Sequence, residues 1–189
     1  MTPISLVLVG LMGSGKSTIA TTLAKQLALP HLDLDEMIEQ DCGLSVAEIF
    51  AVESEPGFRV REHNALRRAL ANPPAIIATG GGVVVNQANR RLLRKASLFV
   101  VWLDASLDVL AARVGDASGR PLLLEGKVTS VLGAHSTARR HAYQEVAHMR
   151  IDNSELSIGE VVACVSQAYS QKITGDSVVQ AQQVEHQCS

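Results

Sequence analysis

Aromatic residues are scarce in this sequence, because Phe, Trp and Tyr together make up 3% of its 189 residues. Proteins that bind single-stranded nucleic acid stack the bases on aromatic side chains, so no such platform is expected here. The formal net charge of −2 also argues against a basic surface that would attract nucleic acid or an anionic membrane. We therefore predict no nucleic-acid partner and no membrane partner.

Cysteine is rare as well, and long apolar runs are missing. The three cysteines, Cys42, Cys164 and Cys188, lie far apart without metal-ligand spacing, which is typical of free thiols in a reducing compartment. No apolar run approaches the ~20 residues that a membrane span requires. The apolar segment 4–9 ends at Gly10 and has no basic region before it, which indicates a strand rather than a signal peptide. A soluble cytoplasmic protein of one domain is expected.

The most informative stretch that is present is a phosphate-binding loop. Residues 10–18 read Gly-Leu-Met-Gly-Ser-Gly-Lys-Ser-Thr and fit the pattern G-x-x-x-x-G-K-[ST]. The glycines let successive backbone N–H groups converge on one point, and the N-terminus of the following helix adds its dipole. Lys16 can reach the β- and γ-phosphates, and the Ser17 hydroxyl can ligate Mg²⁺. The residues predicted to bind the phosphates are Gly13, Ser14, Gly15, Lys16, Ser17 and Thr18.

Strand-like apolar runs alternate with helical patterns along the chain, which predicts an α/β fold with a mainly parallel sheet. Capping boxes at Ser45 and Ser157 mark two helix starts, and Pro56 could open a third helix. The segment 115–126 has no packing pattern and is either a surface loop or a lid over a nucleotide. The tail 174–189 is expected to be disordered, which leaves one domain at 1–173. The predicted strands are 4–9, 31–34, 75–78, 98–103 and 149–151.

Two carboxylates near the predicted second strand are candidates for the reaction site. Asp33 and Asp35 flank Leu34, so alternation along a strand places both on the same side. Ligands of an open parallel sheet bind beyond the carboxyl ends of its strands. One carboxylate would hold Mg²⁺, directly or through water, and the other would accept a hydrogen bond from a substrate hydroxyl. The alternative is that the pair only caps the next helix.

Three consecutive glycines follow the predicted third strand. Gly80, Gly81 and Gly82 contribute no side-chain packing, and glycine loses more backbone entropy on folding than other residues. This pattern favours a backbone that an oxygen-rich substrate approaches closely, and a wide turn is the alternative.

Several arginines could face the same crevice. Arg59 has Glu62 three residues later on a predicted helix, where the carboxylate can orient the guanidinium. Arg139 and Arg140 lie on a long helical stretch, and Arg120 lies in the candidate lid. Each could be a surface charge on its own. Together, guanidinium groups would bind the carboxylate of a small hydroxylated acid.

The combination of motifs resembles that of the shikimate kinases. Beside the phosphate loop, the matching segments occur in the family's order: Asp33-Leu34-Asp35, Gly57-Phe58-Arg59, Gly80-Gly81-Gly82, Arg120-Pro121-Leu122-Leu123, and Arg139 with Tyr143 before Arg150-Ile151-Asp152. The resemblance runs from about residue 6 to the C-terminal helix. It implies a three-layer P-loop NTPase fold with a five-stranded parallel sheet of order 2-3-1-4-5, helices on both faces, and a lid at about 115–126.

The resemblance also implies a reaction: transfer of the γ-phosphate of ATP to the 3-hydroxyl of shikimate, in aromatic amino-acid biosynthesis, by a monomer that uses Mg²⁺. Asp35 would hydrogen-bond the reacting hydroxyl, and its role as a general base stays open. Arg59 and Arg139 would clamp the carboxylate of shikimate. The backbone of Gly80, Gly81 and Gly82 would contact the substrate hydroxyls.

On the nucleotide side, the resemblance gives Lys16 and Ser17 the usual roles of the phosphate loop, with Asp33 supporting Mg²⁺. Arg120 would swing onto the phosphates with the lid. Arg113 would lie against the adenine, as would the segment after Asp152. The catalytic residues implied are Lys16, Asp35 and Arg120.

Two departures from the family pattern leave alternatives open. His141 stands where the family usually has proline, so Arg140 could take the place of Arg139 in the clamp. Pro56 could shift the helix start that aims Arg59.

Two other classes of protein are rivals. One is a kinase of the same fold for a sugar acid such as gluconate or for a nucleotide, and the other is a nucleotide-dependent switch or a silent binding protein. The triple glycine, the arginines and the Arg-Pro-Leu-Leu motif together argue against the first. The sequence has no Asn-Lys-x-Asp motif to read guanine and retains Lys16, Asp35, Arg59 and Arg139, which argues against the second.

Overall fold

The computed structural model describes residues 3–71, 74–115 and 128–175. Arg120, nearly all of the predicted lid, and the predicted tail from residue 176 onward lie outside the described residues. Among the described helices, none is long and apolar enough to cross a membrane. The elements are β1 (Ser5–Val9), α1 (Lys16–Leu27), β2 (His31–Asp33), α2 (Leu34–Cys42), α3 (Val46–Ala71), β3 (Ile76–Ala78), α4 (Gln87–Leu93), β4 (Leu98–Asp104), α5 (Leu107–Val114), α6 (Val128–Val146), β5 (Met149–Asp152) and α7 (Ile158–Thr174).

The five strands form one parallel sheet of order β2-β3-β1-β4-β5. This is the predicted topology, and all five predicted strands are present. Strand β1 is central and pairs with β3 on one side and β4 on the other. The turns after β1 and β3 therefore leave the same edge of the sheet side by side, which brings the phosphate loop next to the triple glycine.

Both faces of the sheet are covered by helices, as a parallel sheet requires. Alternation along β1 sends Leu6 and Leu8 to one face and Val7 and Val9 to the other, and all four are fully buried. Leu6 and Leu8 pack with apolar residues of α1 and α7. Val7 and Val9 pack with apolar residues of α2 to α6. The apolar run of β1 is thus the centre of two cores.

Local capping fixes two of the helix starts that the sequence predicts. At the start of α3, the Ser45 backbone N–H donates to Glu48 Oε2 (2.8 Å), and the Glu48 N–H donates to Ser45 Oγ (3.3 Å). The same reciprocal pair joins Ser157 and Glu160 at the start of α7. Each box satisfies two backbone donors that would otherwise have no partner in the first turn.

Helix α3 is broken at Ser54, which has φ 61° and ψ 178° and is not helical. Pro56 follows two residues later, in the first turn of the second helical segment. A proline is tolerated there because the first-turn N–H has no intrahelical acceptor. The prediction that Pro56 opens a helix is therefore confirmed, and this second segment carries Arg59 and Glu62.

The placement of the two aspartates on one strand is wrong. Strand β2 ends at Asp33, whose side chain accepts a hydrogen bond from the Asp35 N–H (3.0 Å) and caps α2. Asp35 thus belongs to the first helical turn. The hydrogen bond from the Asp35 N–H to the Asp33 side chain starts the helix at this point. A prediction from strand alternation alone does not include such a cap.

Candidate functional site

The phosphate loop connects β1 to α1 and has the backbone geometry that its glycines permit. Gly13 and Gly15 have φ values of 81° and 87°, which residues with a side chain rarely adopt. A Cβ at Gly13 would also lie 2.8 Å from the Leu110 carbonyl oxygen. The loop is therefore restricted to glycine at these positions by conformation, and at Gly13 also by packing against α5.

Lys16 is the first residue of α1, and its long side chain turns back over the loop. Its Nζ donates to the Leu11 carbonyl (2.8 Å) and to Ser14 Oγ (3.3 Å). The side chain is buried, so its charge is little screened by water. A cation at the N-terminus of a helix makes this loop a site for phosphate oxygens.

Ser17 and Asp33 meet beside the loop. Ser17 Oγ donates to Asp33 Oδ2 (2.7 Å), which joins the start of α1 to the end of β2. Among residues 3–71, 74–115 and 128–175 there is no group of three or more His, Cys, Asp or Glu that could hold a metal. The Ser17–Asp33 pair nevertheless fits Mg²⁺, which takes few protein ligands and completes its shell with water and phosphate oxygens.

Asp35 and Glu62 bring two carboxylates to Gly80. A Cβ at Gly80 would lie 2.9 Å from Glu62 Oε1 and 3.1 Å from Asp35 Oδ1. Both oxygens are buried and have no hydrogen-bond partner within the described part of the chain. Two unsatisfied acceptors at one point form a site for the hydroxyl groups of a ligand.

The environment raises the pKa of both carboxyl groups. Burial, together with the nearby negative charge of Asp33, raises the pKa of Asp35 to about 6, although Lys16 and Arg59 oppose the shift. Burial raises the pKa of Glu62 to about 7, against the opposing charge of Arg59. The pKa of Asp35 is therefore close to neutral pH. Its carboxylate interacts with Lys16 of the phosphate loop and with Arg59 of α3.

Arg59 is held by two carboxylates of its own helix. Its Nη2 donates to Glu55 Oε1 (2.7 Å), and its Nη1 donates to Glu62 Oε2 (2.9 Å). The Glu62 contact is the i,i+3 pair that the sequence predicts, whereas Glu55 was not identified from sequence. A Cβ at Gly82 would collide with the Arg59 guanidinium, so the absence of a side chain there makes room for this arginine.

The structure separates Arg139 from Arg140. Arg139 is buried, lines the cavity and donates from Nη1 to the Gly81 carbonyl (3.2 Å). Arg140 points away, lying over the Trp102 ring at 5.5 Å and 3.6 Å from Asp104. The helical phase of α6 therefore selects Arg139 as the second arginine of the crevice, despite His141 in the proline position.

Arg113 contacts the segment that follows β5. Its Nη1 donates to Asn153 Oδ1 (3.2 Å) and its Nη2 to the Asn153 carbonyl (2.9 Å). Asn153 Nδ2 in turn donates to the Ser14 carbonyl (2.9 Å). The segment after Asp152 was expected to lie against the adenine, but the contact of Asn153 with the phosphate loop was not predicted. This residue links the phosphate loop to the wall formed by Arg113, where the base of a nucleotide would lie.

The candidate site is a cavity of about 650 Å³. Ser14 and Asp33 are buried behind the cavity wall, and Arg120 lies outside the described residues. The predicted site residues that line the cavity are Gly13, Gly15, Lys16, Ser17, Thr18, Asp35, Arg59, Gly80, Gly81, Gly82, Arg113 and Arg139.

Comparison with known proteins gives consistent matches over nearly the whole chain. The family model described as "Shikimate kinase" matches residues 12–170. The chain is 45% identical over 161 residues to a shikimate kinase of Symbiobacterium thermophilum, covering 84% of this chain and 92% of the relative. It is 42% identical over 170 residues to a shikimate kinase of Rhodopirellula baltica, covering 88% of this chain and 90% of the relative.

A solved structure gives the same result. Shikimate kinase from Acinetobacter baumannii in complex with shikimate superimposes with a TM-score of 0.86 at 30% identity, covering 94% of this chain and 97% of that chain. With the phosphate loop, the paired arginines and the triple glycine around one cavity, these matches show that the chain belongs to the shikimate kinase family.

Proposed function

We propose that this protein transfers the γ-phosphate of ATP to the 3-hydroxyl of shikimate and releases ADP and shikimate 3-phosphate. The observation that carries the proposal is the cavity that contains the phosphate loop together with the buried Arg139 and the half-buried Arg59. Asp35 supports it, because the pKa of its carboxyl responds to Lys16 from one half of the cavity and to Arg59 from the other. A transferred phosphate and an anionic acceptor would meet there.

The acid binds in the half of the cavity formed by α3, α6 and the triple glycine. Arg59 and Arg139 clamp its carboxylate, because guanidinium forks match the two oxygens of a carboxylate. Its hydroxyl groups hydrogen-bond the backbone of residues 80–82 and the unsatisfied oxygens beside Gly80. A ring with a carboxylate at one end and hydroxyls at the other fits this distribution of donors and acceptors.

The nucleotide binds in the other half. Its phosphates lie on the loop with Lys16, and its base lies toward Arg113 and Asn153. Ser17 and Asp33 would hold Mg²⁺, which would supply positive charge against the phosphates of the nucleotide. The hydrogen bond from Ser17 Oγ to Asp33 Oδ2 uses the hydroxyl proton and would leave the lone pairs of Ser17 Oγ available to the ion.

In the chemical step, the substrate oxygen forms a bond to the γ-phosphorus as the bond from that phosphorus to the β,γ-bridging oxygen breaks. Asp35 orients the attacking hydroxyl and takes its proton, which its pKa of about 6 allows at neutral pH. The transition state of phosphoryl transfer is loose, so positioning and charge stabilisation by Lys16 contribute most of the rate. Arg120, carried by the lid at about 115–126, would add positive charge at the phosphates.

A measurement of ADP release with ATP and Mg²⁺ tests the proposal. Turnover should require shikimate, should fall to background with gluconate or a nucleoside monophosphate, and should stop when EDTA removes the metal. Turnover with gluconate or a nucleotide but not with shikimate would refute the proposed acceptor. Turnover that persists in EDTA would refute the magnesium site. A monomeric state and a cytoplasmic location stay predictions of the sequence.

A further inference from the structure

The Gly81 carbonyl oxygen lies at the junction of the two halves of the cavity. It accepts hydrogen bonds from the Tyr143 hydroxyl (2.5 Å) and from Arg139 Nη1 (3.2 Å). On the other side, a Cβ at Gly81 would lie 3.3 Å from the Met12 N and 3.4 Å from the Gly10 carbonyl oxygen. The backbone of the triple glycine is therefore packed between the phosphate loop and α6, and Gly81 is its point of attachment to α6.

Tyr143 is itself held rigidly. The side chain is 1% exposed, and its ring stacks on Trp102 of β4 with ring centroids 5.5 Å apart. Arg140 and Arg150 lie over the same Trp102 ring, and Asp104 pairs with both arginines. Tyr143 thus connects the central sheet to the Gly81 carbonyl through rigid, packed groups.

The donor role of this hydroxyl does not vary near neutral pH. Burial raises the pKa of Tyr143 well above that of an exposed tyrosine, so the hydroxyl keeps its proton. The hydroxyl and Arg139 lie one helical turn apart on α6 and share one acceptor. Without the tyrosine bond, both the orientation of Gly81 and the rotamer of Arg139 would be less restricted.

We propose that Tyr143 is a positioning residue for the acid substrate, which it serves by fixing the Gly81 carbonyl and, through it, the Arg139 guanidinium and the backbone of residues 80–82. Tyr143 is not among the residues that line the cavity, so it acts through Gly81 and Arg139. Its effect is therefore on the binding of the acid rather than on the nucleotide, because Lys16 and Asn153 hold the phosphate loop independently. This inference rests on the proposed function.

The chain provides a matched control, since it contains two tyrosines. Tyr169 also donates its hydroxyl to a backbone carbonyl, that of Ile4 (2.7 Å), and it packs in the core on the opposite face of the sheet. Tyr143→Phe and Tyr169→Phe each remove one hydroxyl and its hydrogen bond to a carbonyl, and Tyr169→Phe also removes the acceptor of the Ile4 N–H (3.3 Å). They differ in whether that carbonyl belongs to the cavity.

Steady-state kinetics of both variants test the inference. Tyr143→Phe should raise KM for shikimate by about tenfold, with kcat within about threefold and KM for ATP within about twofold of wild type, whereas Tyr169→Phe should match wild type in all three. Equal KM values for shikimate in the two variants would overturn the inference, and so would a parallel rise in both KM values of Tyr143→Phe. If the wild type showed no shikimate-dependent ADP release, the proposed function itself would fail, and the inference with it.

A second measurement leaves Tyr143 in place and therefore does not depend on the folding of Tyr143→Phe. The two tyrosines can be replaced biosynthetically by 3-fluorotyrosine, and Tyr169→Phe assigns the two ¹⁹F resonances. Saturating shikimate should shift the resonance of Tyr143, since the acid engages Arg139 and the Gly81 segment, and should leave that of Tyr169 in place. A Tyr143 resonance that does not move would contradict the inference.

Discussion

Glu62 is an ionisable residue with no exposed surface. One of its oxygens pairs with Arg59, and the other lies without a partner among the described residues beside Gly80. A buried carboxylate with one arginine is stabilised less than it would be in water, which is why its pKa is raised from 4.5 to about 7. Glu62, which pairs with Arg59, is therefore also a source of pH dependence in the stability of the fold.

The pH dependence of stability should reveal this residue. Because the pKa of Glu62 is higher in the folded than in the unfolded chain, its contribution to stability is complete below about pH 4.5 and is lost as the pH rises through about 7. Urea unfolding between pH 5 and 8 should show wild-type stability falling as pH rises, and Glu62→Gln should flatten that fall by about 1–3 kcal/mol. Asp35, whose pKa is raised to about 6, leaves a residual slope of the same sign. Superimposable pH profiles of the two proteins would contradict the prediction.

Arg139→Ala and Arg140→Ala are matched variants, because each removes one arginine and the two residues are neighbours on α6. Arg139→Ala should raise KM for shikimate by about 10–100-fold, because it removes charge-assisted hydrogen bonds to a carboxylate. Arg140→Ala should stay within about twofold of wild type, since Arg140 faces Trp102 and Asp104. KM for shikimate, measured at saturating ATP, distinguishes the two. A larger effect of Arg140→Ala would reverse the assignment of the clamp.

At the scale of the elements, local signals account for most of what could be predicted. The apolar runs predict all five strands, and the capping boxes at Ser45 and Ser157 predict the starts of α3 and α7. The prediction fails between β2 and α2, where the Asp33 cap ends the strand one residue earlier than expected. The alternation of residues favours a longer strand there, whereas the Asp33 cap favours an earlier start of the helix. The sequence pattern alone does not show which of the two prevails.

The break in α3 leads to a prediction about stability. Ser54 has φ 61° and ψ 178°, a region occupied almost only by glycine, and such strain costs on the order of 1–3 kcal/mol. Glycine loses about 0.5–1 kcal/mol more entropy on folding, so Ser54→Gly should stabilise the protein by about 1 kcal/mol and raise Tm by about 2–4 °C. Ser54→Ala keeps a Cβ and should give no such gain. Equal Tm values for the Gly and Ala variants would exclude relief of strain as the cause.

At the scale of the whole molecule, the site depends on contacts that no local pattern contains. The phosphate loop is contiguous and was found from sequence. Choosing Arg139 over Arg140 required the phase of α6, and the burial of Glu62 required α3 to pack beside Gly80. Asn153 joins the phosphate loop across 139 positions of sequence. The positions of these residues depend on segments that are distant in the sequence, so only the assembled fold shows which of them face the cavity.

One cavity with two separately built halves should bind its two ligands by separable sets of residues. A ligand at 100 times its Kd stabilises the folded state by about 2.7 kcal/mol, or about 5–10 °C in Tm for a chain of this size. ADP and shikimate should each raise the Tm of the wild type by this order. Arg139→Ala should lose at least half of the shift with shikimate and keep the shift with ADP, and Lys16→Ala should do the opposite, because each residue lies in one half of the cavity. Differential scanning fluorimetry with each ligand alone measures all four shifts. Loss of both shifts in either variant would show that the halves do not form independently and that the cavity is assembled as one unit.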